Sequence, residues 1–287
     1  MSPVVSVPPA ARPGGGTTVL LHLSDTHFGT EESPVVAAVQ QLVRQERPSA
    51  VILSGDITQR ARRAQFAAAR AFCDSLAVDH LLTLPGNHDI PLYNVAARLF
   101  TPYRGYVRAF GRNLEPELEF GDVLVIGVNT TRPERHKDGV VSPRQIRRVC
   151  DRLRAARRDQ LRIVVTHQPA CVMRPEDEKD RLHGGEEAVH AWSRAGADLV
   201  LGGHIHLPYV SDVCARVKTA SRSMYCVQAG TAFSHRVRHN TPNSVNLIRW
   251  SAPSDGEPRV CKVERWDYDL ADDRFEMTHP YELKLGE

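Results

Sequence analysis

Short apolar runs recur along the first two thirds of the chain, each closed by a glycine, a proline or a polar turn. Thr18 to Ser24, Ala50 to Ser54, Val78 to Leu84, Leu161 to Thr166 and Asp198 to Leu201 are too short for packed helices, and their boundaries predict buried strands. Between them the period changes. Val35, Val36, Val39, Leu42 and Val43 recur at helical spacing behind Ser33-Pro34, predicting a helix from Val35 to Arg47. Further helices are predicted from Arg60 to Leu76, from Ser142-Pro143 to about Arg158, and from Glu186 to Ala195. Glu117 to Phe120 and Val123 to Asn129 read as a hairpin joined at Gly121-Asp122. Leu92 to Asn113 reads as a short helix and then a loop around Tyr103, Arg104 and Tyr106, and the charged stretch from Arg174 to Arg181 as an exposed loop. Tyr225 to Ala229, Ser244 to Trp250, Val260 to Trp266 and Arg274 to Thr278 are strand-like, with no long helix between them. Alternating strand and helix followed by strands alone is an α/β pattern. No internal repeat and no linker divides it, so residues 18–287 are expected to form one domain. Residues 1–17, with four prolines and Gly14 to Gly16, are expected to form a flexible tail rather than a secretory signal.

Composition narrows the class. Hydrophobic residues make up 41% of 287, enough for a sizeable core. The net charge of +3, from 37 basic and 34 acidic residues, lies far below that of a dedicated nucleic-acid binder. Only five of the basic residues are lysine, and arginine suits phosphate contacts. Because the arginines are spread along the whole chain, the skew reads as compositional bias. The helix from Arg144 to Arg158 is the basic stretch that keeps a nucleic-acid substrate in view. Six cysteines without a C-x-x-C pair fit a reduced, cytoplasmic setting. No apolar run approaches the ~20 residues of a membrane span, so no membrane association is expected.

The chemistry collects where strands end. Asp25-Thr26-His27, Gly55-Asp56, Gly86-Asn87-His88-Asp89, Thr166-His167 and Gly203-His204-Ile205-His206 each follow an apolar run. In layered α/β folds that is where the open crevice lies. If Asp25 and His27 are extended, their side chains point the same way. Asp25, His27, Asp56, Asn87, His167, His204 and His206 offer more ligands than one ion needs, and two ions sharing a carboxylate use them fully. Two aspartates with neutral partners contribute about −2, so two divalent cations leave about +2, which attracts phosphate. Such donors accept Mn, Fe or Zn. There is no phosphate-binding G-x-x-x-x-G-K loop, and no serine or cysteine nucleophile pattern competes. His22, His80, His136, His183, His190 and His279 are read as structural or surface residues. The run from Gly230 to Arg238, within a 230–239 loop, reads equally well as a substrate-facing loop or as a solvated basic turn.

In this order the five clusters resemble the motifs of the calcineurin-like metallophosphoesterase superfamily, from about Val19 to Leu207. Within it, His22-Leu23-Ser24-Asp25 and Gly203-His204-Ile205-His206 look most like the small bacterial class III cyclic-nucleotide phosphodiesterases. Asp56-Ile57-Thr58-Gln59 departs by lacking the further acidic residue that many relatives carry. The resemblance implies a four-layer αββα sandwich of two mixed sheets with no separate cap domain. It implies one cation on Asp25, His27, Asp56 and His206, the other on Asp56, Asn87, His167 and His204, and Asp56 as the bridge. It further implies hydrolysis of a phosphodiester, cyclic AMP being one candidate, by in-line attack of a hydroxide held between the cations. His88 would face the leaving oxygen, and Asp89 would orient its loop. A nuclease or phosphomonoesterase on the same site, and a non-catalytic scaffold, are the alternatives.

Overall fold

The computed structural model describes residues 16–213, 222–238, 241–254 and 256–286, so all but the last two residues of the expected tail lie outside the described residues. Twelve strands form two six-stranded mixed sheets. In the first, β1 (Thr18–Leu23), β2 (Ala50–Leu53) and β3 (His80–Thr83) run parallel. Beyond β1 the antiparallel strands β10 (Ser244–Trp250), β11 (Val260–Asp269) and β12 (Arg274–Lys284) continue the sheet to its other edge. In the second, β5 (Val123–Gly127), β6 (Leu161–Val165), β7 (Leu199–Gly202) and β9 (Tyr225–Gln228) are parallel. Its edges are the antiparallel strands β4 (Glu117–Phe120) and β8 (Tyr209–Asp212).

Side-chain alternation on the strands builds the layers. On β1, Leu20 faces the other sheet and packs in a core with Ile52, Val125, Ile163, Leu201 and Trp250. Leu21 and Leu23 point the opposite way, onto α1 (Ser33–Glu46) and α2 (Arg63–Ser75). α1 meets them with Val35, Ala38, Val39, Leu42 and Val43, one stripe at helical spacing. On the far side, Val164 and Val200 pack under α5 (Pro143–Arg154) and α6 (Gly185–Ala195), where Trp192 is fully buried. This is the αββα sandwich.

α5 starts where Ser142 accepts from the Gln145 amide and Gln145 Oε1 accepts from the Ser142 amide, a reciprocal cap with Pro143 in the first turn. The sheet reading ran short at two places. β8 went unread, and β12 continues to Lys284 through Pro280; a proline is tolerated there because β12 is an edge strand. The expected loop around Arg104 is instead a helix, α4 (Arg104–Phe110), which follows the short α3 (Val95–Phe100). Tyr106 anchors α4, its buried hydroxyl donating to the Thr83 carbonyl at 2.7 Å. The stretch from Arg174 to Arg181 is also not an open loop: Pro175–Asp180 is a 3-10 turn with Asp177 buried.

Candidate metal centre

The carboxyl ends of β1, β2, β3, β6 and β7 meet at one rim of the sandwich, and every candidate ligand projects from the loops there. Among the described residues nine non-glycine positions have positive φ, and five of them are Asp25, His27, Asp56, His204 and His206. This region is sterically disfavoured for any residue with a Cβ, and it persists only where neighbours hold it. Backbone bonds between loops do so: Asp25 N–H donates to the Gly55 carbonyl, His27 N–H to Asp56, and Gly203 N–H to His167, at 2.9–3.1 Å. Asp25 and His27 therefore converge through left-handed backbone and not through the extended segment expected from the sequence.

Two groups result. In the first, His206 Nε2 lies 3.4 Å from Asp25 Oδ1 and 3.4 Å from His27 Nε2, and His27 Nε2 lies 3.8 Å from Asp25 Oδ1. In the second, Asp56 and His167 gather with His204. His167 Nε2 is 3.3 Å from Asp56 Oδ1 and 3.2 Å from Asn87 Oδ1. Asp56 stands between the groups, since its other oxygen is 3.9 Å from His27 Nε2. His88 is close by, with Nε2 at 4.0 Å from Asp56 Oδ2.

The donors fit a pair of cations. Among the described residues Asp25 Oδ1 and His204 Nδ1 are buried without a hydrogen-bond partner, which is costly unless something charged completes them. His167 donates its Nδ1–H to the Ser54 carbonyl and His206 its Nδ1–H to the Arg236 carbonyl, so both Nε2 lone pairs point inward. Electrostatics agree. Burial drives the His27 imidazole well below its ordinary value, and burial together with the charge of His167 lowers His204 to about 3, so both are neutral donors. Burial acts against charge on Asp56 as well, but His167 and His88 outweigh it and hold the carboxyl well below the usual carboxylate range. His167 responds oppositely: burial lowers it, yet the Asp56 carboxylate keeps it up at about 9. A proton on Nε2 there occupies the place a cation would take.

Asp89 holds the 86–89 turn. Its carboxylate accepts from the Gly86, Ile57 and Thr58 amides and from Thr58 Oγ1 at 2.8–3.0 Å. Burial and the charge of Asp56 raise it to about 6, so it is ionised at neutral pH. Gly86 passes so close to Asp56 that a Cβ would overlap the Asp56 backbone and carboxylate. His22 is the structural residue expected, bonded to Ser54 Oγ at 2.9 Å between the sheets.

The site opens into a cleft of about 780 Å³. Residues that the sequence did not single out line it. His136, read as structural or surface, sits at its wall with Lys137, which pairs with Asp180 at 2.6 Å. The described part of the 230–239 loop turns inward: Arg236 Nη1 is 3.2 Å from His88 Nε2 and 3.0 Å from Gln59 Oε1. Arg238 pairs with Asp177 at 2.7 Å, tying this loop to the 3-10 turn. His239 lies outside the described residues. The only advance signal for Arg236 was local arginine density. On α5, Arg148 and Arg152 are ion-paired with Glu115, Glu117 and Glu119, which neutralises part of that helix's charge.

A family model described as calcineurin-like phosphoesterase matches residues 18–208. A glycerophosphodiester phosphodiesterase, GpdQ, from Enterobacter lignolyticus is 35% identical over 82 residues, covering 25% of this chain and 29% of that protein. Among solved structures, the purple acid phosphatase PPD1 from yellow lupin superposes with a TM-score of 0.68 at 12% identity, covering 96% of this chain and 55% of that one. A dimetal phosphatase from Danio rerio superposes with a TM-score of 0.62 at 13% identity, covering 94% and 99%. The chain thus spans about half of the lupin protein and under a third of GpdQ. At these identities the two structures speak for the fold.

Proposed function

Because the chain belongs to the calcineurin-like phosphoesterase family, we propose that it is a dinuclear metallophosphodiesterase. Asp25, His27, Asp56 and His206 would hold one divalent cation, and Asp56, Asn87, His167 and His204 the other. The observation that carries this reading is the position of Asp56, one oxygen toward His167 and the other toward His27, between two groups that contain orphaned buried donors. When bound, the pair of cations would supply Lewis acidity and a nucleophilic water at neutral pH.

The remaining chemistry belongs to the chain. Ser54 and the Arg236 carbonyl fix the ring orientations of His167 and His206. His88 donates Nδ1–H to the Gln59 carbonyl at 3.0 Å, which leaves Nε2 facing the cleft and the Arg236 guanidinium. A phosphoryl group entering the cleft competes for that guanidinium through charge-assisted hydrogen bonds. Nε2 of His88 is then free to carry a proton to the leaving oxygen. An alkoxide leaving group, which alkyl diesters and alkyl monoesters both expel, gains most from that proton. The GpdQ relative, named a glycerophosphodiester phosphodiesterase, supports a diester.

The test is a panel of bis(4-nitrophenyl) phosphate, 4-nitrophenyl phosphate and cyclic AMP with metal-reconstituted protein. Diester turnover is expected to exceed monoester turnover. In His88→Ala, kcat on cyclic AMP, whose leaving group is an alkoxide, should fall by about 10²–10⁴, with a smaller loss on the nitrophenyl esters, while the bound metal is retained. Faster monoester turnover makes the protein a phosphomonoesterase, and undiminished activity of His88→Ala removes the role given to that residue. Two bound cations without turnover on any substrate leave a non-catalytic scaffold.

A further inference from the structure

A second and larger concavity, of about 1060 Å³, lies between α2, the segment from Pro91 to Ala97, and α4. Arg60, Arg62, Arg63, Arg70, Arg104 and Arg108 line it, with one carboxylate, Asp74, which is paired with Arg70. One groove therefore holds five uncompensated positive charges, whereas the whole chain carries +3. Among the described residues the other five arginines form no ion pair. Helix geometry gathers them: Arg63 and Arg70 are two turns apart on α2, and Arg104 and Arg108 are one turn apart on α4, so each pair shares a helix face. Gly105 lets α4 come close enough, since a Cβ there would collide with the Phe66 ring.

Shared lining residues link the groove to the metal cleft. Arg60 and Leu92 line both the groove and a narrow neck of about 20 Å³, and Asn87, His88 and His136 line both the neck and the cleft. Tyr93 projects into the groove, 78% exposed, with Arg60 Cζ 5.4 Å from its ring centre. Free guanidinium groups beside an exposed aromatic ring are what a flexible phosphodiester chain requires, phosphates on the arginines and a base stacked on the ring. A bilayer is flat and cannot enter a concave groove. A duplex keeps its bases stacked inside and offers none to the ring.

We propose that this groove binds the phosphates of a single-stranded nucleic acid whose end reaches the metal centre. As a statement about substrate this rests on the phosphodiesterase reading above, but the binding itself does not. The test is fluorescence anisotropy of a labelled decathymidylate with phosphorothioate linkages, titrated with the full-length protein across salt concentration. Wild type should bind with an affinity that falls steeply with salt, by a log–log slope of about −0.7 for each phosphate engaged. Arg104→Glu/Arg108→Glu should weaken binding about tenfold or more and flatten the slope by about 1.4. Arg63→Glu, on the other helix, should weaken it independently, and thermal melts confirm that all variants fold. Unchanged binding in these variants, or no binding by wild type, overturns the proposal. So does co-sedimentation with phosphatidylglycerol vesicles without oligonucleotide binding, which assigns the arginines to a lipid surface. Hydrolysis of bis(4-nitrophenyl) phosphate, measured separately, reports on the metal centre: turnover without oligonucleotide binding defeats the groove alone, and binding without turnover defeats the enzyme reading alone.

Discussion

At the scale of single residues, His22 separates structural from chemical histidines. It is fully buried between the sheets, and burial lowers its imidazole to about 3. Its folded value lies below the unfolded value of about 6.5. The stability it contributes is therefore full above pH ~6.5 and is lost as pH falls toward 3, by at most about 1.4 kcal/mol per pH unit. Urea unfolding of His22→Gln in chelator should show a shallower loss between pH 6.5 and 4 than wild type; parallel curves would mean that His22 does not titrate on unfolding. Arg236 illustrates the opposite case. Its carbonyl orients His206 and its guanidinium faces His88, so one residue touches both sides of the site. Nothing in its sequence neighbourhood distinguishes it from Arg238, which pairs with Asp177. Only the path of the loop does.

Elements decide how the ligands meet. The five strand ends were legible because strand cores are apolar and their turns carry Gly, Pro and Asp. The left-handed backbone at Asp25, His27, Asp56, His204 and His206 was not, since no residue there is glycine. Gly86 is where an element depends on a missing side chain. A methyl group overlapping the Asp56 backbone must push the 86–89 turn away, and with it Asn87 and His88. Gly86→Ala should lower stability by about 1–3 kcal/mol and reduce kcat about a hundredfold or more, read by urea unfolding and diester hydrolysis. A variant as stable and active as wild type would show that the turn has room to spare. The basic face of α5 carries less charge than its own residues suggest, for a related reason. A sequence shows the charges of one helix, and the glutamates of β4 that neutralise them arrive from another element.

For the whole molecule, the sandwich was legible from the switch between two-residue and helical periods, but the surface was not. Six of the seven arginines from 60 to 108 converge in space although about fifty residues separate the first from the last, because α4, whose existence the Tyr- and Arg-rich sequence concealed, packs beside α2. No helix among the described residues is long and apolar enough to cross a membrane. The five described cysteines are buried. What organises the molecule is a rim at which five loops deliver seven candidate donors, with Asp56 at their centre. The most direct check is elemental analysis of protein reconstituted with Mn²⁺ or Zn²⁺ and passed through a desalting column. About two equivalents per chain are expected for wild type, and one or fewer for Asp56→Asn, whose amide is a poor bridge. Wild-type protein that retains no metal, or an Asp56→Asn variant that still holds two equivalents, would contradict a cation pair built on that carboxylate.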